Sequence, residues 1–283
     1  MRLLYGEAEG VTSPDDATLW VLGSGESGVS SALAVRPQAW ESALLGRRAV
    51  RLGPVAASGT YDEQGERLGR LLEFWTRQAD DADDVGVATA RLDERDAGTL
   101  HALEAAGFRF IECLLTFCST RTVTAPDTPA AIEVAGPDAA AELGALAGRS
   151  FRYSRLHSDP RVALGVADRS RAEWIENACR GNADIVFGAW VEGRAVGFVS
   201  CTRVRRDDVD RGCIDLIAVD PELPRRGVGT ALVATVLDHY ARQERLVLVG
   251  TQAKNVPSVN LYLKCGFRLV SSQVTLTRHR EAT

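Results

Sequence analysis

The chain has few of the residues that mark secreted, metal-bound or nucleic-acid-binding proteins. Its six cysteines stand at 113, 118, 179, 201, 213 and 265, and none forms a Cys-x-x-Cys pair. That scatter suits neither zinc-ligand spacing nor a disulfide framework. Buried thiols in a reducing compartment are expected, hence a cytoplasmic protein with no metal site. Basic excess is missing too: 33 Lys and Arg face 38 Asp and Glu, a net charge of −5. A general basic surface for nucleic acid is thereby excluded. No apolar run approaches a membrane span. Residues 1–7, Met-Arg-Leu-Leu-Tyr-Gly-Glu, lack the apolar core of a signal peptide, so none is expected. What is present is ordinary: 283 residues, 45% hydrophobic and 25% charged, enough for two small domains.

Against this background one stretch is informative. Residues 214–219, Ile-Asp-Leu-Ile-Ala-Val, are strand-like and end at Asp220-Pro221. A basic turn with Pro224, Arg225 and Arg226 follows, then Gly227-Val228-Gly229-Thr230, then an amphipathic segment to about Arg242. The pattern predicts strand, tight loop and helix. A helix that starts on glycines presents bare N–H groups and its positive dipole end together, which suits an anion such as a pyrophosphate. Two familiar phosphate loops are absent. No Gly-x4-Gly-Lys-Ser/Thr occurs, and the dinucleotide fingerprint fails because Leu232 stands where its third glycine belongs. Further on, 246–249 reads as a buried strand. Asn255 and Pro257 then suit a helix start, Val259, Tyr262 and Leu263 share a face, and Gly266 suits the C-cap.

The loop Arg226-Gly227-Val228-Gly229-Thr230-Ala231, after a strand ending Val-Asp-Pro, resembles the acyl-coenzyme A loop of the GCN5-related N-acetyltransferase (GNAT) superfamily. So does Asn255 followed by Tyr262 and Cys265-Gly266-Phe267. Pro224 departs from the polar residue usual there. The resemblance implies an α/β fold with a mixed sheet flanked by helices, and acetyl-coenzyme A as cofactor. It implies that residues 224–230 hold the diphosphate and that Ile217, Ala218 and Val219 pair with the pantetheine arm. It also implies that Asn255 lies near that arm and that the Tyr262 hydroxyl reaches the sulfur.

Residues 119–130, rich in Thr, Ser and Pro, read as a linker between 1–120 and 131–283. The two parts echo each other. A strand at 85–91, a helix from Asp96, Gly107-Phe108 and a strand to Phe117 repeat the order found at 246–276. Aligning Gly107 with Gly266 sets Asp96 opposite Asn255 and Leu103 opposite Tyr262. The first copy lacks the hydroxyl and has no counterpart of the 225–230 loop. Tandem GNAT-like domains, the first degenerate, are therefore expected.

Within the superfamily, the chain is similar to the bacterial TDP-fucosamine N-acetyltransferase branch. The similarity rests on Ser154-Arg155, on Trp174-Ile175-Glu176-Asn177-Ala178-x-Arg180-Gly181, on Thr251-Gln252-x-x-Asn255, and on Trp40-Glu41-Ser42-x-x-x-Gly46 in the first half. It implies transfer of acetyl to the amine of a nucleotide-linked amino sugar by direct attack, with Gln252 on the substrate side. Arg152, Arg155 and Arg161 become candidates for the nucleotide diphosphate, and Trp174 and Phe151 for stacking on the base. Asp215 departs from this branch, where a glycine is expected. Tyr262 is the candidate to meet the leaving thiolate. Asp215 and His157 are both contenders for general base. Acylation of another small amine and a non-catalytic acyl-coenzyme A module are the alternatives, and a homodimer is left open.

Overall fold

The computed structural model describes residues 2–3, 18–23, 29–81, 84–206, 209–222, 226–243 and 246–280. In chain order the elements begin with β1 (Arg2–Leu3), β2 (Thr18–Gly23), β3 (Val29–Pro37), α1 (Ala39–Leu45), β4 (Ala49–Ala57), α2 (Tyr61–Asp81), β5 (Val87–Asp93) and α3 (Ala97–Ala105). They continue with β6 (Arg109–Ser119), β7 (Ala131–Val134), α4 (Ala140–Ser150), α5 (Arg155–Ser158), α6 (Leu164–Asn177), β8 (Ile185–Val191) and β9 (Arg194–Arg206). The last are β10 (Val209–Val219), α7 (Val228–Ala241), β11 (Leu246–Gln252), α8 (Val256–Lys264) and β12 (Arg268–His279). Among the described residues no helix is long and apolar enough to cross a membrane. All six cysteines are free thiols.

The chain forms two compact units, one of residues 1–113 with 272–283 and one of residues 114–271. This division departs from a cut at the 119–130 linker. In the first unit, β2, β3 and β4 run as an antiparallel meander, and β4 pairs parallel with β5. The C-terminal strand then pairs antiparallel with β5, from Gln273 against Asp93 to His279 against Val87. α2 lays Leu68, Leu71, Leu72 and Trp75 into the core with Leu103, Phe108 and Leu276. Its outer face carries the i,i+4 pairs Glu63–Arg67, Glu66–Arg70 and Glu73–Arg77, the spacing that supports an exposed helix face.

In the second unit the strand order is β6-β11-β10-β9-β8-β7. β10 and β11 are parallel and the remaining neighbours antiparallel. One face is covered by α7 and by Tyr262 of α8, with Leu232, Val236, Leu237, Phe117, Val249 and Phe267 in one core. The other face packs Leu143 and Leu146 of α4 and Ile175 of α6 on Phe198, Leu216 and Ala218. A sheet buried on both faces explains the continuous apolar run at 214–219. Tyr240 of α7 lies flat against β10 and donates its hydroxyl to Asp184 at 2.9 Å. Gly212 permits that approach, because a Cβ there would stand 2.6 Å from the Tyr240 ring.

The internal repeat extends to hydrogen bonds. Asp96 caps α3 by accepting Thr99 N–H, and Asn255 caps α8 by accepting Ser258 N–H. Gly107 and Gly266 both take the left-handed conformation after their helices, at φ 88° and 78°. Phe108 N–H reaches Leu103 O as Phe267 N–H reaches Tyr262 O, each at 3.0 Å. The strand that follows each of these helices enters the other unit: Leu114–Ser119 of β6 pairs with β11, and β12 with β5.

α6 starts at Leu164. Asp138 lies in a 3-10 turn before α4, and Ala139 holds the cap position without a side-chain bond. β7 had no clear pattern in the sequence, and its side chains are mostly exposed, which removes the apolar alternation that identifies a strand.

Candidate active site

The cleft of the second unit is made by two strands that part. The parallel ladder between β10 and β11 stops at Ile214 opposite Val249. β10 nevertheless stays paired with β9 as far as Val219 opposite Gly197. Between Ile214 and Leu216 the β9–β10 register shifts, leaving Asp215 without a cross-strand partner. An extra residue of this kind bends a strand and re-aims its edge. Past the bulge, the edge of β10 that faced β11 has lost its neighbour. The space so opened encloses about 560 Å³, with residues 214–219 on one side and 249–252 on the other.

A second cavity of about 680 Å³ continues from the first, sharing Val219, Pro221, Gly229, Pro257 and Leu261. It lies at the start of α7 and is lined by Arg226, Gly227, Val228, Gly229 and Thr230. Gly227 occupies the N-cap in the left-handed conformation, φ 76°, and has no side chain to cap the helix. The first intrahelical bond is Ala231 N–H to Gly227 O at 2.9 Å. The amides of residues 228–230 therefore lack intrahelical acceptors and open on the cavity with the dipole behind them. Asp220 anchors the entry to this turn: it is buried, takes Arg149 at 2.9 Å and Arg194 at 3.2 Å, and accepts Glu222 N–H. Burial alone would raise its carboxyl pKa, but these donors hold it below the usual range. Pro224 and Arg225 lie outside the described residues.

Tyr262 lines the main cavity and is 2% exposed. Its ring packs on Phe117 and Phe267, with centroids at 6.1 and 5.7 Å. Burial pushes its phenol pKa up, so the group keeps its proton and serves as a donor. Asn255 also lines the cavity and bonds Thr251 Oγ1 at 3.2 Å. Ile217, Ala218, Val219, Gln252 and Arg152 line it as well.

Asp215 is the only acid among the described residues lining this cavity. Thr202 Oγ1 donates to it at 3.1 Å. Burial raises its pKa to about 6, while hydrogen bonds from Thr202 and Cys213 act the other way. The folded protein thus binds more protons than the unfolded chain between about pH 4 and 6, and stability falls as pH rises through that window. Asp215→Asn is expected to remove this slope and to add on the order of 2 kcal/mol at pH 7.5. Thermal melts at pH 4 and 7.5 check it; a variant that melts below the parent at pH 7.5 contradicts the account.

His157, Arg155 and Trp174 do not line the cavity. His157 is enclosed, its side chain 2% exposed, with both ring nitrogens engaged by Ser154 and Asp168. Arg155 begins α5. Trp174 is 40% exposed and stacks on the Arg171 guanidinium, 5.3 Å from its ring centroid. Phe151 does line the cavity and takes the same guanidinium at 5.8 Å.

The structure adds Arg171, Ser154 and Tyr153 to the lining. Arg171 stands three residues before Trp174 on α6, the spacing of one helix face. The sequence signal was the pair itself, visible only with α6 extended back to Leu164.

Residues 148–267 match the family model for acetyltransferases of the GNAT family. The chain is 29% identical over 234 residues to the spore coat polysaccharide biosynthesis protein SpsD of Bacillus subtilis, covering 81% of this chain and 76% of that one. It is 28% identical over 252 residues to a dTDP-fucosamine acetyltransferase of Escherichia coli O6:H1, covering 87% and 98%. Among solved structures, a GCN5-related N-acetyltransferase from Sphaerobacter thermophilus shares the fold with a TM-score of 0.64 at 16% identity, over 97% of this chain and 84% of that one.

Proposed function

Because residues 148–267 belong to the acetyltransferase (GNAT) family, we propose that this acyltransferase uses acetyl-coenzyme A to acetylate the amine of a nucleotide-linked amino sugar. The observation that carries the reading is the parting of β10 from β11, which joins one cavity to the uncapped start of α7. When bound, acetyl-coenzyme A supplies a thioester whose acetyl group an amine can take. The amides of residues 228–230 and the Arg226 side chain would hold its diphosphate. The released edge of β10 at Ile217, Ala218 and Val219 would take an amide-bearing arm as an added strand. Asn255 borders that arm. Tyr262 donates its hydroxyl proton toward the departing sulfur.

The lining of the main cavity also supports the sugar nucleotide: it includes Arg152, Arg171, Phe151 and Gln252. Two guanidinium groups suit a second diphosphate, and the aromatic ring suits a base. One relative's name, a dTDP-fucosamine acetyltransferase, supports the same substrate class, and the other is named for polysaccharide biosynthesis.

Incubation with acetyl-coenzyme A and a panel of dTDP-linked amino sugars, free amino sugars and simple amines tests the reading. Free thiol is expected to appear with a dTDP-amino sugar and far more slowly with the others. Release with simple amines alone would reassign the substrate, and tight cofactor binding without turnover would leave only a binding module.

A further inference from the structure

Three side chains of the second unit form a chain of contacts that ends at the cavity. Asp168 Oδ1 lies 3.0 Å from His157 Nε2, and His157 Nδ1 lies 2.6 Å from Ser154 Oγ. Of the three, only Ser154 lines the cavity. Ionised Asp168 can only accept, so Nε2 of the neutral ring carries the proton. Nδ1 is then a bare acceptor, and the 2.6 Å contact is the Ser154 hydroxyl donating to it. A Ser154 oxygen that has given its hydrogen inward keeps lone pairs for a donor arriving from the cavity. The Ser154 cap on α5, accepting His157 N–H at 3.4 Å, explains the serine alone. It does not explain a buried imidazole whose second nitrogen is fixed by a carboxylate.

We propose that Ser154, His157 and Asp168 form a proton relay that draws a proton from the substrate amine. This rests on the acetyltransferase reading above and adds the route for its proton. Acetylation of an ammonium releases two protons: one leaves with the thiol, and the other must reach solvent. As the amine gives a proton to Ser154 Oγ, the serine passes its own to His157 Nδ1, and Asp168 Oδ1 stabilises the imidazolium. Serine ends unchanged and the amine neutral, ready to attack. After transfer the imidazolium gives its Nδ1 proton back through Ser154 Oγ to water entering the cavity, which restores the Nε2–H tautomer that Asp168 holds. Ser154 is the residue that touches substrate, His157 is the base acting through it, and Asp168 is a positioning residue.

The charged groups facing His157 are Asp168 and Arg171 of α6 and Arg152 before α5. Burial lowers the His157 pKa below its usual 6.5, the two arginines add to that, and Asp168 opposes it. The ring is therefore neutral at pH 7 and able to accept. Activity is lost as pH falls through this lowered value.

The test uses the full chain with a dTDP-amino sugar substrate. Asp168→Asn is the telling variant. An asparagine whose amide nitrogen faces Nε2 donates to it, which puts the proton on Nδ1 and closes the relay with the heavy atoms in place. Nitrogen NMR of the ring should show Nε2–H in the parent and Nδ1–H in Asp168→Asn. In Asp168→Asn and Ser154→Ala, kcat/KM for the amine should fall about 10- to 100-fold, and its acid limb should move or vanish. Coenzyme A affinity by calorimetry should not change. Ser154→Thr, which keeps hydroxyl and cap, should restore most of the rate and guards against a loss due to unfolding. An acid limb that disappears in Asp215→Asn but persists in Ser154→Ala would assign the base to Asp215. Rates within twofold of the parent in both relay variants would overturn the relay. A gain of one acetyl group on Ser154 from acetyl-coenzyme A alone would make the serine a nucleophile and overturn it equally. If the parent acetylates no amine at all, the enzymatic reading fails first, and the imidazole tautomer remains measurable on its own.

Discussion

Gly229→Asp is expected to abolish binding of coenzyme A and acetyl-coenzyme A while leaving the fold intact. Gly229 lies in the first turn of α7 and lines both cavities. A Cβ there meets Leu261 at 3.5 Å and Val219 at 3.6 Å, ordinary van der Waals distances, so the larger residue fits. An acidic group in a first helical turn is favourable to the dipole, so the melting temperature should hold or rise slightly. Binding moves the other way, because the carboxylate occupies the place proposed for the diphosphate. At roughly 5 Å and an effective dielectric constant of about 20, each like-charge pair costs about 3 kcal/mol, or more than 100-fold in affinity. Gly229→Ala adds bulk without charge and should lose no more than about tenfold on the same scale. Calorimetric titration with coenzyme A distinguishes the two. Normal affinity in Gly229→Asp would mean that the diphosphate goes elsewhere.

Tyr262→Phe should leave coenzyme A affinity and stability close to the parent and lower kcat by about 10- to 1000-fold. The ring is the structural part: it packs between Phe117 and Phe267, and phenylalanine keeps those contacts. The hydroxyl is the chemical part, a donor that burial keeps protonated across the usual assay range. On the proposed mechanism, removing it takes away the partner of the departing sulfur and little else. The matching position in the first repeat is Leu103, fully buried, so a helix of this kind packs well with no hydroxyl. Stopped-flow acetyl transfer, with binding measured separately, checks the split between kcat and affinity. A rate equal to the parent would remove Tyr262 from the chemistry.

The readable parts of this protein were local. Gly227 and Gly229 after an apolar strand announced the α7 turn, since few other sequences put bare amides and a helix dipole at one point. The repeat was legible through Asp96 and Asn255, Gly107 and Gly266, each a cap or a left-handed position that only certain residues fill. β8 is a short apolar run that ends at the Glu192-Gly193 turn.

What the residues alone determined, then, is the strand, glycine turn and helix at 214–242, the repeated strand–helix–strand order at 85–117 and 246–276, and the place of Tyr262 on the last helix. The tertiary structure decided which strand edges meet. Alternation tells a strand which face to bury and says nothing of its neighbour along the hydrogen-bonding direction, so β6 and β12 read alike yet serve different units. The bulge at Asp215 and the end of the β10–β11 ladder likewise needed three strands in register before they opened a cavity. His157 is enclosed only because α6 brings Asp168 against it, and burial belongs to packing between segments and not to either segment by itself.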